Sequence, residues 1–125
     1  QLPFMDWRQL PAVIAGLDIN LMPLENSLFH WCKSENKWTE AALVKVPSVM
    51  SRNCEMEYVV ENGKDGWMCT TKEEWVNALE ALVTDEKARK AMGEAAHQKV
   101  MEHYLTVNTG KDAMEELLCS ESYTK

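Results

Sequence analysis

Residues 18–51 read DINLMPLENSLFHWCKSENKWTEAALVKVPSVMS. Two short apolar runs, Asp18–Leu24 and Pro47–Ser51, stand at the ends of this stretch, and each is the length of a strand. Between them the pattern predicts a loop from Glu25 to Cys32, then a helix from about Ser34 to Val44 with Ser34 as its N-cap. Short apolar strands joined by a helical connection are the pattern of a parallel sheet with right-handed crossovers. The fold class is therefore α/β.

The flanks continue the alternation. Gln1–Phe4 is short and apolar, the expected tail of a strand. Asp6 is placed to cap a helix across Trp7–Gly16, with Leu10, Val13, Ile14 and Leu17 at helical spacing and Gly16 where it stops. Beyond residue 51, Arg52–Glu55 reads as irregular. The turn pairs Asn62-Gly63 and Asp65-Gly66 then precede a short strand, Trp67–Cys69. Thr71-Lys-Glu-Glu74 is a capping box opening a helix with Trp75, Leu79, Leu82 and Val83 on one stripe. A last helical stretch runs from Asp85 to about Tyr104, with Ala88, Met92, Ala96, Val100 and Tyr104 at i+4 spacing. Gly93 inside it predicts a break into two shorter helices. The tail from Leu105 to Lys125 is polar except for Met114, Leu117 and Leu118, and reads either as one or two further helical turns or as a frayed end.

The 125 residues, 46% hydrophobic and 26% charged, have the balance of one globular domain that needs no staples. A net charge of −7 with no dense run among the 13 Lys and Arg excludes a nucleic-acid surface or a polybasic membrane patch. No run approaches the roughly 18 apolar residues of a membrane span, and no signal peptide is visible. Cys32, Cys54, Cys69 and Cys119 are scattered, and no spacing with His30, His97 or His103 forms a zinc site. They read as reduced cytosolic thiols, and the chain as a piece of a longer protein.

Ligands of open parallel sheets sit outside the carboxyl ends of the strands, where loops meet helix N-termini. The richest such passage is residues 22–40. A helix starting near Ser34 offers free N–H groups and the positive end of its dipole to a phosphate, with Lys33 beside it. Lys33, Lys37 and Glu40 fall on one face if that helix begins early. Such a face offers two cations to a diphosphate and a carboxylate to a sugar diol, which it grips with two hydrogen bonds. Lys37 and Glu40 at i, i+3 also read as an ordinary surface ion pair. His30 is the histidine nearest this passage, and Glu57 lies where the chain returns toward the carboxyl edge of the sheet. His97 and His103 read as exposed, and Trp67, Trp75 and the helical methionines as core.

The run from Lys33 to Val49 resembles the donor-binding segment of GT-B glycosyltransferases of the family 4 or group 1 type. That segment carries E-A-x-x-x-G-x-P-x-V, preceded in one branch by F-x-x-x-K-S-x-x-K. Phe29, Lys33, Ser34, Lys37, Glu40, Ala41, Pro47 and Val49 fall in register with it. Residues 10–23 resemble the stretch leading to the family's D-v-x-l-x-P strand, 57–66 its E-v-I-x-x-G-x-x-G, and 72–104 its closing helices. The resemblance covers residues 1–104 in one collinear order. It departs at Cys32, where the family often has a second glutamate, and at Lys45, where it has a glycine. The lysine there argues against a close approach between helix and strand.

The resemblance implies a partial Rossmann-like three-layer sandwich, a parallel sheet of about four short strands flanked by helices. Residues 1–104 are then an incomplete C-terminal domain and 105–125 a polar tail. It also implies the activity: transfer of a sugar from a nucleotide-sugar donor to an acceptor, in cell-surface polysaccharide or glycoconjugate synthesis. Glu40 matches the glutamate that binds the ribose hydroxyls, and Lys33 and Ser34 match positions near the diphosphate or sugar. Lys37 completes the donor set. No metal or other cofactor is implied, because positive side chains and a helix dipole stabilise the leaving diphosphate. The catalytic residues are not among those the resemblance carries over. The implied partners are the donor and the missing N-terminal half, without which the fragment is inactive. An unfinished sheet edge also invites self-association of the fragment. The implied location is cytoplasmic, with membrane association through the missing half. Two other readings share parts of this pattern: a nucleotide-sugar epimerase of the same fold, and a non-catalytic α/β module that uses its acidic surface for protein contacts.

Overall fold

A computed structural model describes residues 4–111. Three parallel strands form one sheet in the order β1 (Asn20–Met22), β2 (Ser48–Ser51) and β3 (Trp67–Cys69). Register is continuous across it, with Leu21 beside Val49 and Val49 beside Trp67. The crossover from β1 to β2 holds α2 (Leu28–Trp31) and α3 (Asn36–Leu43), and that from β2 to β3 holds α4 (Cys54–Val59). After β3 come α5 (Lys72–Thr84) and α6 (Glu86–His103). The strand expected over residues 1–4 falls largely outside the described residues, so the sheet has three strands among those described.

Alternation along the strands divides the core into two layers. Met22, Met50 and Met68 point to one side, where they meet Trp38 and Ala42 of α3 and Ala96 and Val100 of α6. Val49 and Cys69 point to the other and pack on Ala78 and Leu82 of α5 and Met92 of α6. Helix α6 therefore serves both layers, its C-terminal half on the first and its N-terminal half on the second. Trp67 and Trp75 pack half-buried against the second layer, as their core reading requires.

Local signals set several boundaries. Asp6 Oδ1 accepts from Arg8 N at 2.9 Å and starts a 3-10 turn, Trp7–Gln9, which runs into α1 (Leu10–Ile14) and ends just before Gly16. Thr71 and Glu74 form both halves of the capping box on α5. Asp85 caps α6 through Lys87 N and Ala88 N.

Other expectations change. The segment expected as a loop from Glu25 to Cys32 contains α2, a single turn. Because α2 and the turn after it use residues up to Glu35, α3 begins at Asn36, and Glu35 rather than Ser34 occupies the N-cap position. The irregular stretch at Arg52–Glu55 already contains the start of α4, capped by Asn53. On the stripes, Val83 is exposed because α5 turns Ala78 and Leu82 inward, and Ala88 is exposed because burial on α6 begins only at Met92. His97 is half-buried rather than exposed, with Nδ1 hydrogen-bonded to Ala42 O at 3.1 Å, while His103 is exposed. Residues 106–111 are helical again; the rest of the tail, with Met114, Leu117 and Leu118, lies outside the described residues.

Gly93 does not break α6. It is buried, and a Cβ there would overlap the carbonyl group of Lys45. The lack of a side chain lets α6 lie against the turn between α3 and β2. Lys45 itself takes the left-handed conformation, φ 63°, which glycine adopts most readily. The close approach that a lysine here argued against is thus present, with the glycine supplied by the opposite partner.

Candidate functional site

The three strands run the same way, so their carboxyl ends gather on one edge of the sheet. The loops leaving those ends enclose a cleft of about 310 Å³. From β1 comes Leu24, whose backbone N–H donates to Ser51 Oγ at 2.8 Å while that hydroxyl donates back to Leu24 O at 3.1 Å. From β2 come Arg52 and Asn53. Arg52 N donates to Cys69 O at 3.0 Å, holding this loop to the end of β3, and its guanidinium pairs with Glu57 at 3.1 Å. Asn53 Oδ1 accepts from Met56 N at 2.9 Å and caps α4. Helix α2 supplies the far wall: Trp31 Nε1 donates to Asn26 Oδ1 at 2.8 Å, and His30 Nδ1 is hydrogen-bonded to Ser27 Oγ at 2.8 Å. Cys69 closes the cleft near β3. Burial pushes its thiol pKa up, the Glu74 charge adds to that, and Arg52 opposes it.

Of the residues singled out from sequence, His30 and Glu57 line this cleft, whereas Lys33, Ser34, Lys37 and Glu40 do not. Lys33 and Ser34 are exposed in the turn between α2 and α3, and Lys33 Nζ lies 5.3 Å from the centroid of the Phe29 ring. Lys33 therefore does not share a helical face with Lys37 and Glu40, because α3 starts three residues after it. Lys37 and Glu40 do meet: Lys37 Nζ donates to Glu40 Oε2 at 3.1 Å, the i, i+3 pair that their spacing allows. Glu40 is partly shielded, its side chain 38% exposed. Among the described residues no side chain caps α3, which leaves its first N–H groups without a side-chain partner there at the end nearest Lys33 and Ser34.

Helix α3 is held firmly beneath these residues. Trp38 is fully buried, packs edge-on to Tyr104 at 6.0 Å, and donates its indole N–H to Asp65 O at 2.9 Å. Asp65 is buried too. Its carboxylate accepts from Glu61 N at 2.8 Å and from Lys99 Nζ at 2.6 Å. The Asn62–Gly66 turn is thereby tied to α3 and α6 at once. Burial raises the Tyr104 hydroxyl pKa, with smaller contributions from the charges of Glu35 and Asp65. Cys32, Cys54 and Cys69 are all free, and no group of three metal-binding side chains occurs among the described residues.

Residues 2–116 match a family model described as glycosyl transferase-like. The chain belongs to this family. The glycosyl transferase-like chain is also similar to two solved structures. One is the C-terminal domain of a glycosyl transferase group 1 family protein, LpcC, from Francisella tularensis, with TM-score 0.64 and 17% identity over 82% of this chain and 52% of that one. The other is Anabaena Alr3699/HepE in complex with UDP and glucose, with TM-score 0.67 and 17% identity over 86% of this chain and 29% of that one. The glycosyl transferase-like chain thus spans about half the length of the first and less than a third of the second. No curated protein matches it significantly. The fold is that of the Rossmann-like C-terminal part of GT-B, group 1 glycosyltransferases.

The cleft residues Asn53, Trp31 and Asn26 were not singled out from sequence. Asn53 carries a usable signal, since an Asn directly after a strand and before a helix is a preferred cap at the edge where ligands bind. Trp31 carries none, because α2 is too short for a periodic pattern.

Proposed function

We propose that the chain is the donor-binding part of an enzyme that transfers a sugar from a nucleotide-sugar donor to an acceptor, in cell-surface polysaccharide or glycoconjugate synthesis. In this reading the Glu40 carboxylate binds the ribose diol of the nucleotide, exchanging its Lys37 partner for two hydroxyls. Lys33, Ser34, Lys37 and the uncapped N–H groups of α3 face the diphosphate and stabilise the charge that develops as the bond to the sugar breaks. The missing N-terminal half supplies the acceptor site and the remaining basic residues, so the fragment alone is inactive. The enzyme works in the cytoplasm, associated with the membrane through that half.

The observation that carries the reading is the family match over residues 2–116, with Glu40 one turn inside an α3 whose N-terminus no side chain caps among the described residues. The HepE structure with UDP and glucose supports a nucleotide-sugar donor. The test is a ¹H–¹⁵N NMR titration of the chain with UDP, GDP and dTDP beside a Glu40→Ala control. Saturable shifts on residues 33–41 that the control abolishes support the reading and identify the base. Silence from all three in both this chain and its full-length parent rejects it.

A further inference from the structure

Trp38 and Glu40 stand two residues apart on α3, about 200° around its axis. Trp38 is fully buried beneath the helix, and Glu40 stands on its outer side with Lys37. Whatever holds the indole therefore sets the rotation of α3, and with it the direction of the Glu40 carboxylate. The holding group is main chain: the indole N–H donates to Asp65 O at 2.9 Å. From the sheet, Asn20 Nδ2 donates to Ser48 Oγ at 2.9 Å and to Lys37 O at 3.4 Å, gripping the same turn of α3.

The Asp65 carbonyl is held in turn. Asp65 is buried, its Oδ1 accepting from Glu61 N at 2.8 Å and its Oδ2 from Lys99 Nζ at 2.6 Å. Residues 61–66 close on themselves, with Asp65 N donating to Glu61 O at 3.2 Å and Gly63 N to Gly66 O at 2.8 Å. Asn62 Oδ1 accepts from Met68 N at 2.7 Å and ties this turn to β3. Gly66 brings the turn up to the indole, since a Cβ there would lie 3.3 Å from Trp38 Nε1. A buried ion pair adds little net stability, because desolvation of both charges offsets their attraction. What the Asp65–Lys99 pair supplies is direction: a carboxylate bonded through both oxygens cannot turn, and it keeps the carbonyl of its own residue aimed at the indole.

We propose that Asp65, anchored by Lys99, is a positioning residue for the nucleotide end of the donor site. It acts through Trp38 and sets the angle at which α3 presents Glu40. The inference rests on the donor reading above and deepens it, by naming a support that lies outside the site on the turn between α4 and β3. A carboxylate that grips a diol through two hydrogen bonds has to be held to within about 0.5 Å, which a helix free to roll about its axis does not achieve.

The test is a ¹H–¹⁵N titration of the chain with UDP, GDP and dTDP, in the parent, in Asp65→Asn and in Asp65→Asn/Lys99→Met. Asp65→Asn is the mild change, because Oδ1 can still accept from Glu61 N and the half-buried Lys99 can turn to water. The double variant removes both charges and leaves neither buried alone. Before nucleotide is added, the Trp38 indole N–H and the amides of residues 37–40 should be displaced in both variants, with the amides of α5 in their parent positions. Each folded variant should then bind the nucleotide that the parent binds about tenfold more weakly. A merely structural pair would lower the urea midpoint and leave the affinity of the folded protein unchanged. Parent affinity in the folded variants would overturn the proposal and leave the donor reading standing. Weakened binding with the indole and the 37–40 amides in their parent positions would overturn it too, because the loss would then arise elsewhere. Silence of the parent toward all three nucleotides would count against the donor reading itself, and this role would fall with it.

Discussion

The carbonyl group of Lys45 lies so close to Gly93 that no Cβ fits between them. This contact brings α6 onto the turn that launches β2, and the Lys45 ammonium reinforces it from outside by pairing with Glu94 at 2.8 Å. The obstacle to a side chain is backbone, which cannot swing aside. Gly93→Ala should therefore lose about 1–3 kcal/mol, despite the better helix propensity of alanine. Gly110 is the control, because a Cβ there would meet nothing within 4 Å among the described residues. Gly110→Ala should hold or raise stability in urea unfolding, and equal losses at the two positions would contradict the close-approach argument.

Lys45 gives a second test of the same contact. Its positive φ disfavours every residue with a side chain, and β-branched ones most. Lys45→Gly removes that strain and an exposed ion pair of small value, and gives up some unfolded-state entropy, so its stability should stay within about 1 kcal/mol of the parent. Lys45→Val should fall clearly below both. Thermal unfolding of the three proteins decides it; a valine variant as stable as the glycine one would mean that φ is not maintained.

The parts of the fold that were legible from sequence are those set by neighbours in the chain. The Thr71–Glu74 capping box, the Asp6 cap and the apolar run at Ser48–Met50 each need only a few adjacent residues to form. Helix α2 was not legible, because four residues carry no period. Once α2 takes up the chain as far as Trp31, Ser34 can no longer be the cap of α3. Gly93 looks like a weakness of α6 from sequence because its partner, Lys45, is far away along the chain. The candidate site divides in the same way. The Lys37–Glu40 pair follows from spacing, whereas the cleft around Asn53 exists only once three strands end side by side.

Asp65 and Lys99 should be a costly pair to break. The Asp65 side chain is 4% exposed and that of Lys99 29%, and their contact is 2.6 Å. Lys99→Met leaves a buried carboxylate with a single backbone donor, Glu61 N. The expected loss is about 3–5 kcal/mol, and pairing it with Asp65→Asn should recover part of it. Trp38 reports the same event, since its indole N–H bonds to Asp65 O. The NMR signal of that indole N–H should disappear from its native position at lower urea in Lys99→Met than in the double variant.

The three described cysteines should react at different rates. Cys32 and Cys54 are exposed, whereas Cys69 is buried and its thiol is held protonated chiefly by that burial. Alkylation with iodoacetamide near pH 8 should modify Cys69 more than about tenfold more slowly than the other two, by mass spectrometry of the peptides. Addition of urea to the transition midpoint should erase the difference. Equal rates in the native protein would mean that the second core layer opens readily.

Glu74 predicts the shape of the acid limb of stability. Its carboxylate accepts from the backbone N–H groups of Thr70 and Thr71, and these bonds, helped by the charge of Arg52, lower its pKa from the usual carboxylate value. A pKa depressed in the folded state means that folding favours the ionised form. The resulting stabilisation is complete above the unfolded-state pKa, near about pH 4.3, and disappears as the pH falls through the lower folded-state value. Glu74→Gln keeps a side-chain oxygen for the capping box and removes the charge. The gap in urea midpoint between parent and variant should be constant from about pH 7 to pH 5, then close as the parent's carboxyl takes up its proton below about pH 4. Parallel stability curves down to about pH 3 would show that the charge of Glu74 contributes nothing and that the box holds α5 by geometry alone.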